Sequence, residues 1–159
     1  MMSRTRARFP LRGVVVALVI ASPVLADAPR DQYEFFSAET LKIKDRKTGL
    51  EWDRLVSGPL PFADASCASG TRLPTLKELL TIVDEEPHYT YDETQLKNVP
   101  KMIDQFAFGA QTPTDKAYWT SSVNPDGQVW TVDFQTGETR LAHPDDARYV
   151  RCVAFKPNP

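Results

Sequence analysis

The chain has 159 residues, a formal net charge of -2 and 25% charged side chains, a size that suits one domain rather than two. With no long basic run, nucleic acid is excluded as a natural partner. The two cysteines cannot build a disulfide-dense miniature scaffold, so a hydrophobic core has to carry the fold.

At the N-terminus Arg4, Arg6, Arg8 and Arg12 precede an apolar run from Gly13 to Ala21, and Val24-Leu25-Ala26 suits a signal peptidase. The run falls well short of the roughly 20 apolar residues of a spanning helix. The pattern therefore predicts a secretory signal over 1–26, cleaved near Ala26, with no transmembrane segment afterwards. The mature protein is expected in the periplasm or outside the cell. Cleavage removes four arginines and no acids, which takes the formal charge from -2 to -6 and leaves 133 residues. Residues 27–39 read as an N-terminal leader and 40–159 as one domain. Cys67 and Cys152 lie 85 positions apart in the exported part. An oxidising compartment favours pairing them. A catalytic thiol is the weaker reading, because neither His88 nor His143 is a sequence neighbour of either cysteine.

From Tyr33 onward the pattern is strand, strand, turn, strand. Lys42 and Lys44 alternate with Leu41 and Ile43, the period of a half-buried strand. Gly49 closes the turn, and Leu50 and Trp52 then share a face. Lys42, Lys44, Arg46 and Lys47 read as a solvated edge in preference to an anion site. Pro59 and Pro61 introduce a short helix expected to carry Cys67 and to end at Gly70. A second helix is expected after Pro74, with Thr75 as its cap and Glu78 reaching back in a capping box. Its apolar stripe is Leu76, Leu79, Leu80 and Val83, with Lys77 and Glu78 outward. Residues 85–115 read as a long, mainly irregular loop, the kind that carries function, anchored by Met102, Ile103, Phe106 and Phe108. The remainder reads as a β meander with a turn at Asn124-Pro125-Asp126-Gly127. Trp52, Trp119 and Trp130, in strand patterns, are expected in the core.

Taken in order, Asp45 to Trp52 with Gly49, Leu50 and Trp52, then Cys67, Arg72-Leu73-Pro74-Thr75 with Glu78, Ile103-Asp104, Tyr118-Trp119-Thr120, Asp133-Phe134 and Val150-Arg151-Cys152 resemble the Lcl C-terminal domain family, long a bacterial domain of unknown function. The resemblance runs from about Ile43 to Phe155. It implies an α+β, C-type-lectin-like fold with a small mixed or antiparallel sheet, two short helices, long irregular loops and a bridge from Cys67 in the first helix to Cys152 in the last strand. It also implies an adhesin-like binding role; toward sulfated glycans that role is opposed by the acidic charge, since such ligands need clustered cations. Where relatives carry tryptophans this chain has Leu60 or Phe62, and Thr71.

The chemistry follows from what the residues offer. Asn124 and Asp126, with Trp130 to Asp133, are similar to pieces of classical calcium-dependent lectins, but they share one hairpin and read better as a turn and a strand. Calcium takes six to eight oxygens, and only Asp84, Glu85, Glu86, Asp92 and Glu93 suggest a weak cation site; no resident metal or cofactor is expected. Asp145-Asp146, or Asp126 with Asp133, would be the carboxylates of a weak hydrolase, the least favoured reading. The favoured expectation is a non-catalytic binding module. Its recognition residues are His88, Tyr89, Tyr91 and Asp92, with Asn124 and Asp126 secondary, and its partner is a glycan or an envelope protein. A structural subunit of an envelope assembly is the alternative.

Overall fold

The computed structural model describes residues 31–35, 41–93 and 96–154; the signal segment and most of the leader lie outside them. In chain order come β1 (Tyr33–Phe35), β2 (Lys42–Asp45), β3 (Glu51–Asp53), β4 (Ser57–Leu60), a 3-10 turn at Phe62–Asp64, β5 (Thr71–Arg72) and α1 (Leu76–Leu80). There follow β6 (His88–Asp92), β7 (Lys97–Lys101), α2 (Gln105–Phe108), β8 (Tyr118–Val123), β9 (Val129–Val132), β10 (Thr139–Ala142), β11 (Arg148–Val150) and β12 (Val153–Ala154). The chain is thus mostly β with two short helices, an α+β arrangement.

Two five-stranded sheets form the body. One has the order β1-β2-β3-β12-β5, the other β10-β9-β8-β11-β4. The first is antiparallel throughout, whereas β11 runs parallel to β8 in the second. A separate hairpin, β6–β7, makes a two-stranded sheet of its own. The meander therefore forms as expected, but the run from Arg148 to Ala154 is divided: its first half completes one sheet and its second half the other.

The core follows the strand period of two. Tyr118 and Val132 pack with Ile43, Trp52, Leu79, Ile103, Phe108 and Phe134 on one side. Trp119 and Val129, from the same two strands, pack with Ala142, Val150 and the bridge at Cys152 on the other. Trp119 also donates its indole N–H to the Leu60 carbonyl at 2.8 Å. Trp130 is only half-buried.

Several local expectations change. Cys67 is not helical, because Phe62–Asp64 makes a single 3-10 turn and residues 65–68 belong to no regular element. β4 was not expected from Ser57-Gly58-Pro59-Leu60; it is an edge strand, where proline's missing donor costs nothing. Gly58 is required there: at φ +99 an added Cβ would stand 2.9 Å from the Arg148 carbonyl oxygen. Gly49 does have positive φ (+72) and donates its N–H to the Asp45 carbonyl at 2.7 Å. Leu41 is exposed rather than part of the buried alternation, and β2 is interior to its sheet, its neighbours held by Lys42–Asp53 and Arg46–Glu34 ion pairs.

The capping box is present: Thr75 accepts from the Glu78 backbone N–H and the Glu78 carboxylate accepts from the Thr75 N–H. The helix stops after five residues, so the helical stripe does not continue. Leu80 is 36% exposed, and Ile82, beyond the helix end, fills the core instead. Residues 85–115 carry more regular structure than expected, since β6, β7 and α2 take up 14 of them. Phe106 departs from its anchoring role, being 81% exposed, while Ile103 and Phe108 are buried and Met102 is half-buried against Gly137.

Candidate functional site

The hairpin sorts its side chains by strand parity. His88, Thr90 and Asp92 share one face with their partners Lys101, Val99 and Lys97; Val99 and Lys101 on it are buried, whereas His88 and Lys97 at its ends are exposed. Tyr89 and Tyr91 share the other face with Pro100 and Asn98 and are 67% and 57% exposed. Successive same-face positions on a strand are about 6.6 Å apart, so the two rings form one outward platform. Of the four residues assigned to this surface, Tyr89 and Tyr91 share it, while His88 and Asp92 lie on the opposite face.

Three contacts hold the inner face. His88 Nε2 meets the Asp84 carboxylate at 3.1 Å, and Asp84 is itself buried and accepts from the Glu86 N–H at 3.0 Å. Thr90 donates its hydroxyl to Gln105 Oε1 at 2.8 Å. Lys101 sends its ammonium inward to the Ala110 and Thr112 carbonyls at 2.8 and 3.2 Å, and burial pushes its pKa down.

Behind the hairpin lies a buried cation that carries no sequence signal. Arg151 is wholly buried between β11 and β12. It donates to the Asp53 carbonyl (2.8 Å), the Arg54 carbonyl (3.1 Å) and Thr112 Oγ1 (3.1 Å), and its guanidinium lies over the Phe108 ring at 4.9 Å. Burial lowers its pKa from the usual arginine value. The next residue, Cys152, is bonded to Cys67. A continuous brace thus runs from Lys101 through residues 110–112 and Arg151 to the disulfide.

The remaining assigned residues sit elsewhere. Asn124 Oδ1 accepts from the Asp126 and Gln128 backbone N–H groups, so its side chain closes the β8–β9 turn, and Asp126 is exposed beside it. No hydrogen bond among the described residues joins this turn to the hairpin. Glu78 is held down at about 2 first by the Arg72 guanidinium, which it engages through both carboxylate oxygens at 2.7 and 2.8 Å, and then by Thr75. That pair completes the cap of α1, where Leu73 and Pro74 lead in and Pro74 accepts from the Ser121 N–H at 2.8 Å. Asp133 caps its own turn by accepting from the Gln135 N–H, and Phe134 is buried.

Carboxylates do not converge where they were considered. Asp145 lies beside His143 and Asp146 bonds Arg148, each locally. Asp84 faces inward whereas Glu85, Glu86 and Glu93 are exposed, and no cluster of three or more metal-ligating side chains occurs among the described residues. Asp53 has its pKa raised by burial, against the pull of Lys42 and Arg151.

The model of the Lcl C-terminal domain family matches residues 42–154. No curated protein and no solved structure matches the chain.

Proposed function

The chain belongs to the Lcl C-terminal domain family, and from that premise we propose that it is an exported, non-catalytic binding module that grips a glycan through the outer face of hairpin β6–β7. One observation carries this reading: Tyr89 and Tyr91 stand side by side and exposed on a strand whose opposite face is fastened to the body. Large rings are normally withdrawn from water in so small a domain. Two held outward offer flat apolar area at low entropic cost, with the Asn98 amide beside them for hydrogen bonding. We take the two sheets, the short helices and the bridge as a C-type-lectin-like arrangement, with residues 40–159 as the domain. The Cys67–Cys152 bond supports export, since it suits an oxidising compartment.

The test is binding of the oxidised protein to a broad glycan array, with wild type beside Tyr89→Ala/Tyr91→Ala. Saturable binding by wild type, lost in the double variant at an unchanged melting temperature, supports the reading. A wild type that binds no glycan overturns the ligand class, and an unchanged affinity in the variant overturns the platform.

A further inference from the structure

A second surface lies away from the tyrosine platform. An open cleft of about 420 Å³, within the usual range of small-ligand sites, is lined by Leu41, Leu55, Val56, Phe108 and Pro113, with Arg54 as its cation. Leu55 is 66% exposed and Leu41 is exposed beside it, two large apolar side chains that core packing does not use.

Arg54 is placed with care. Its backbone N–H donates to the Leu41 carbonyl at 2.8 Å. Its guanidinium lies 5.6 Å from the centre of the Phe35 ring and passes over Gly109, where an added Cβ would stand 3.8 Å from Nε and 3.9 Å from Nη2. Among the described residues no carboxylate pairs with it. Arg151 donates to the carbonyl of Arg54 itself and lies over the Phe108 ring, but it is wholly buried and does not line the cleft. The cleft therefore joins an apolar floor to one guanidinium, that of Arg54, in a chain of acidic net charge.

We propose that this cleft binds an amphipathic carboxylate, an apolar body seated on Leu55, Val56, Phe108 and Pro113 with its carboxylate forked on the Arg54 guanidinium. A guanidinium presents two parallel N–H groups, the geometry that matches a carboxylate, and that of Arg54 lies within cation–π reach of the Phe35 ring. The carboxylate has two sources, the C-terminus of a peptide ending in a large apolar residue or a free apolar acid.

The experiment titrates the full oxidised chain, followed by backbone amide NMR, with N-acetylphenylalanine and with its carboxamide. The acid is expected to give saturable shifts at Leu55, Gly109 and Gln111 and to bind at least about tenfold more tightly than the amide, the usual margin of a charged hydrogen bond. Arg54→Gln should erase that preference. Leu55→Asp, a change at an exposed site, should abolish acid binding while leaving the spectrum elsewhere intact. Equal affinity for acid and amide, no saturable shifts, or shifts confined to other surfaces would overturn the proposal. A tetrapeptide ending in phenylalanine and decanoate distinguish the two sources, the tighter one naming it. Tyr89→Ala/Tyr91→Ala should leave these shifts unchanged, so this site and the platform stand or fall separately.

Discussion

Hairpin β6–β7 and the shorter run β11–β12 are two pieces of extended chain put to opposite uses. The run β11–β12 turns nearly everything inward: Val150, Arg151, Cys152 and Val153 are all buried, and their polar groups end on carbonyls or in a covalent bond. The hairpin buries one face only and leaves two tyrosines in water. The lesson is a separation of duties. Stability resides in the bridge and the buried cation, whereas the exposed rings contribute almost nothing to it and are free to be used for contact.

The comparison is broken most severely by removing the bridge. Cys67→Ser/Cys152→Ser reopens an 85-residue loop, and the expected loss is about 4 kcal/mol in urea unfolding. Arg151→Ala comes next, at about 3 kcal/mol, because it leaves buried carbonyls of Asp53 and Arg54 without a donor and opens a cavity beside Phe108. A Glu78→Gln variant should lose on the order of 1 kcal/mol at neutral pH once solvent screening of this partly exposed pair is allowed for. Its sign is fixed by a folded pKa of about 2 against 4.5 in the unfolded chain. The contribution is present above about pH 4.5 and is lost as the pH falls toward 2, so thermal melts of wild type should decline across that window more steeply than those of the variant. The smallest effect belongs to the platform: Tyr89→Ala/Tyr91→Ala should shift stability by no more than about 0.5 kcal/mol. A larger loss there would mean that the rings pack in the folded state, and the separation would fail.

Much of the framework was legible because its signals are local or covalent. Thr75 and Glu78 specify a cap within four residues, Asn124 to Gly127 specify a turn, and the two cysteines leave only one intramolecular pairing. The hairpin was hidden for a physical reason. Tyr89 and Tyr91 are apolar yet exposed, and Lys101 is charged yet buried, so β6 and β7 do not show the usual contrast of an apolar inner face and a polar outer one. Pro100 in β7 also argued against a strand, although a two-stranded sheet consists only of edges, where proline is tolerated. Arg151 and Lys101 escaped notice because their partners are backbone carbonyls, which any sequence supplies; only the fold brings residues 53, 54 and 151 together. Tyr89 and Tyr91 stand out in the sequence as candidate recognition residues, but their exposure and alignment on one face depend on the strand that the sequence concealed.

The division of the run 148–154 between the two sheets has a consequence in time. β12 lies between β3 and β5, and β11 between β8 and β4, so each sheet lacks an interior strand until those residues arrive. As the chain emerges from its N-terminal side, β1–β3 and β8–β10 can each form a meander, but β3 and β8 present unpaired edges until the last pairings close them. Assembly is thereby timed by the latest strands to appear, a non-local step of the slow kind, and any delay before residue 148 would leave two open edges available to other chains.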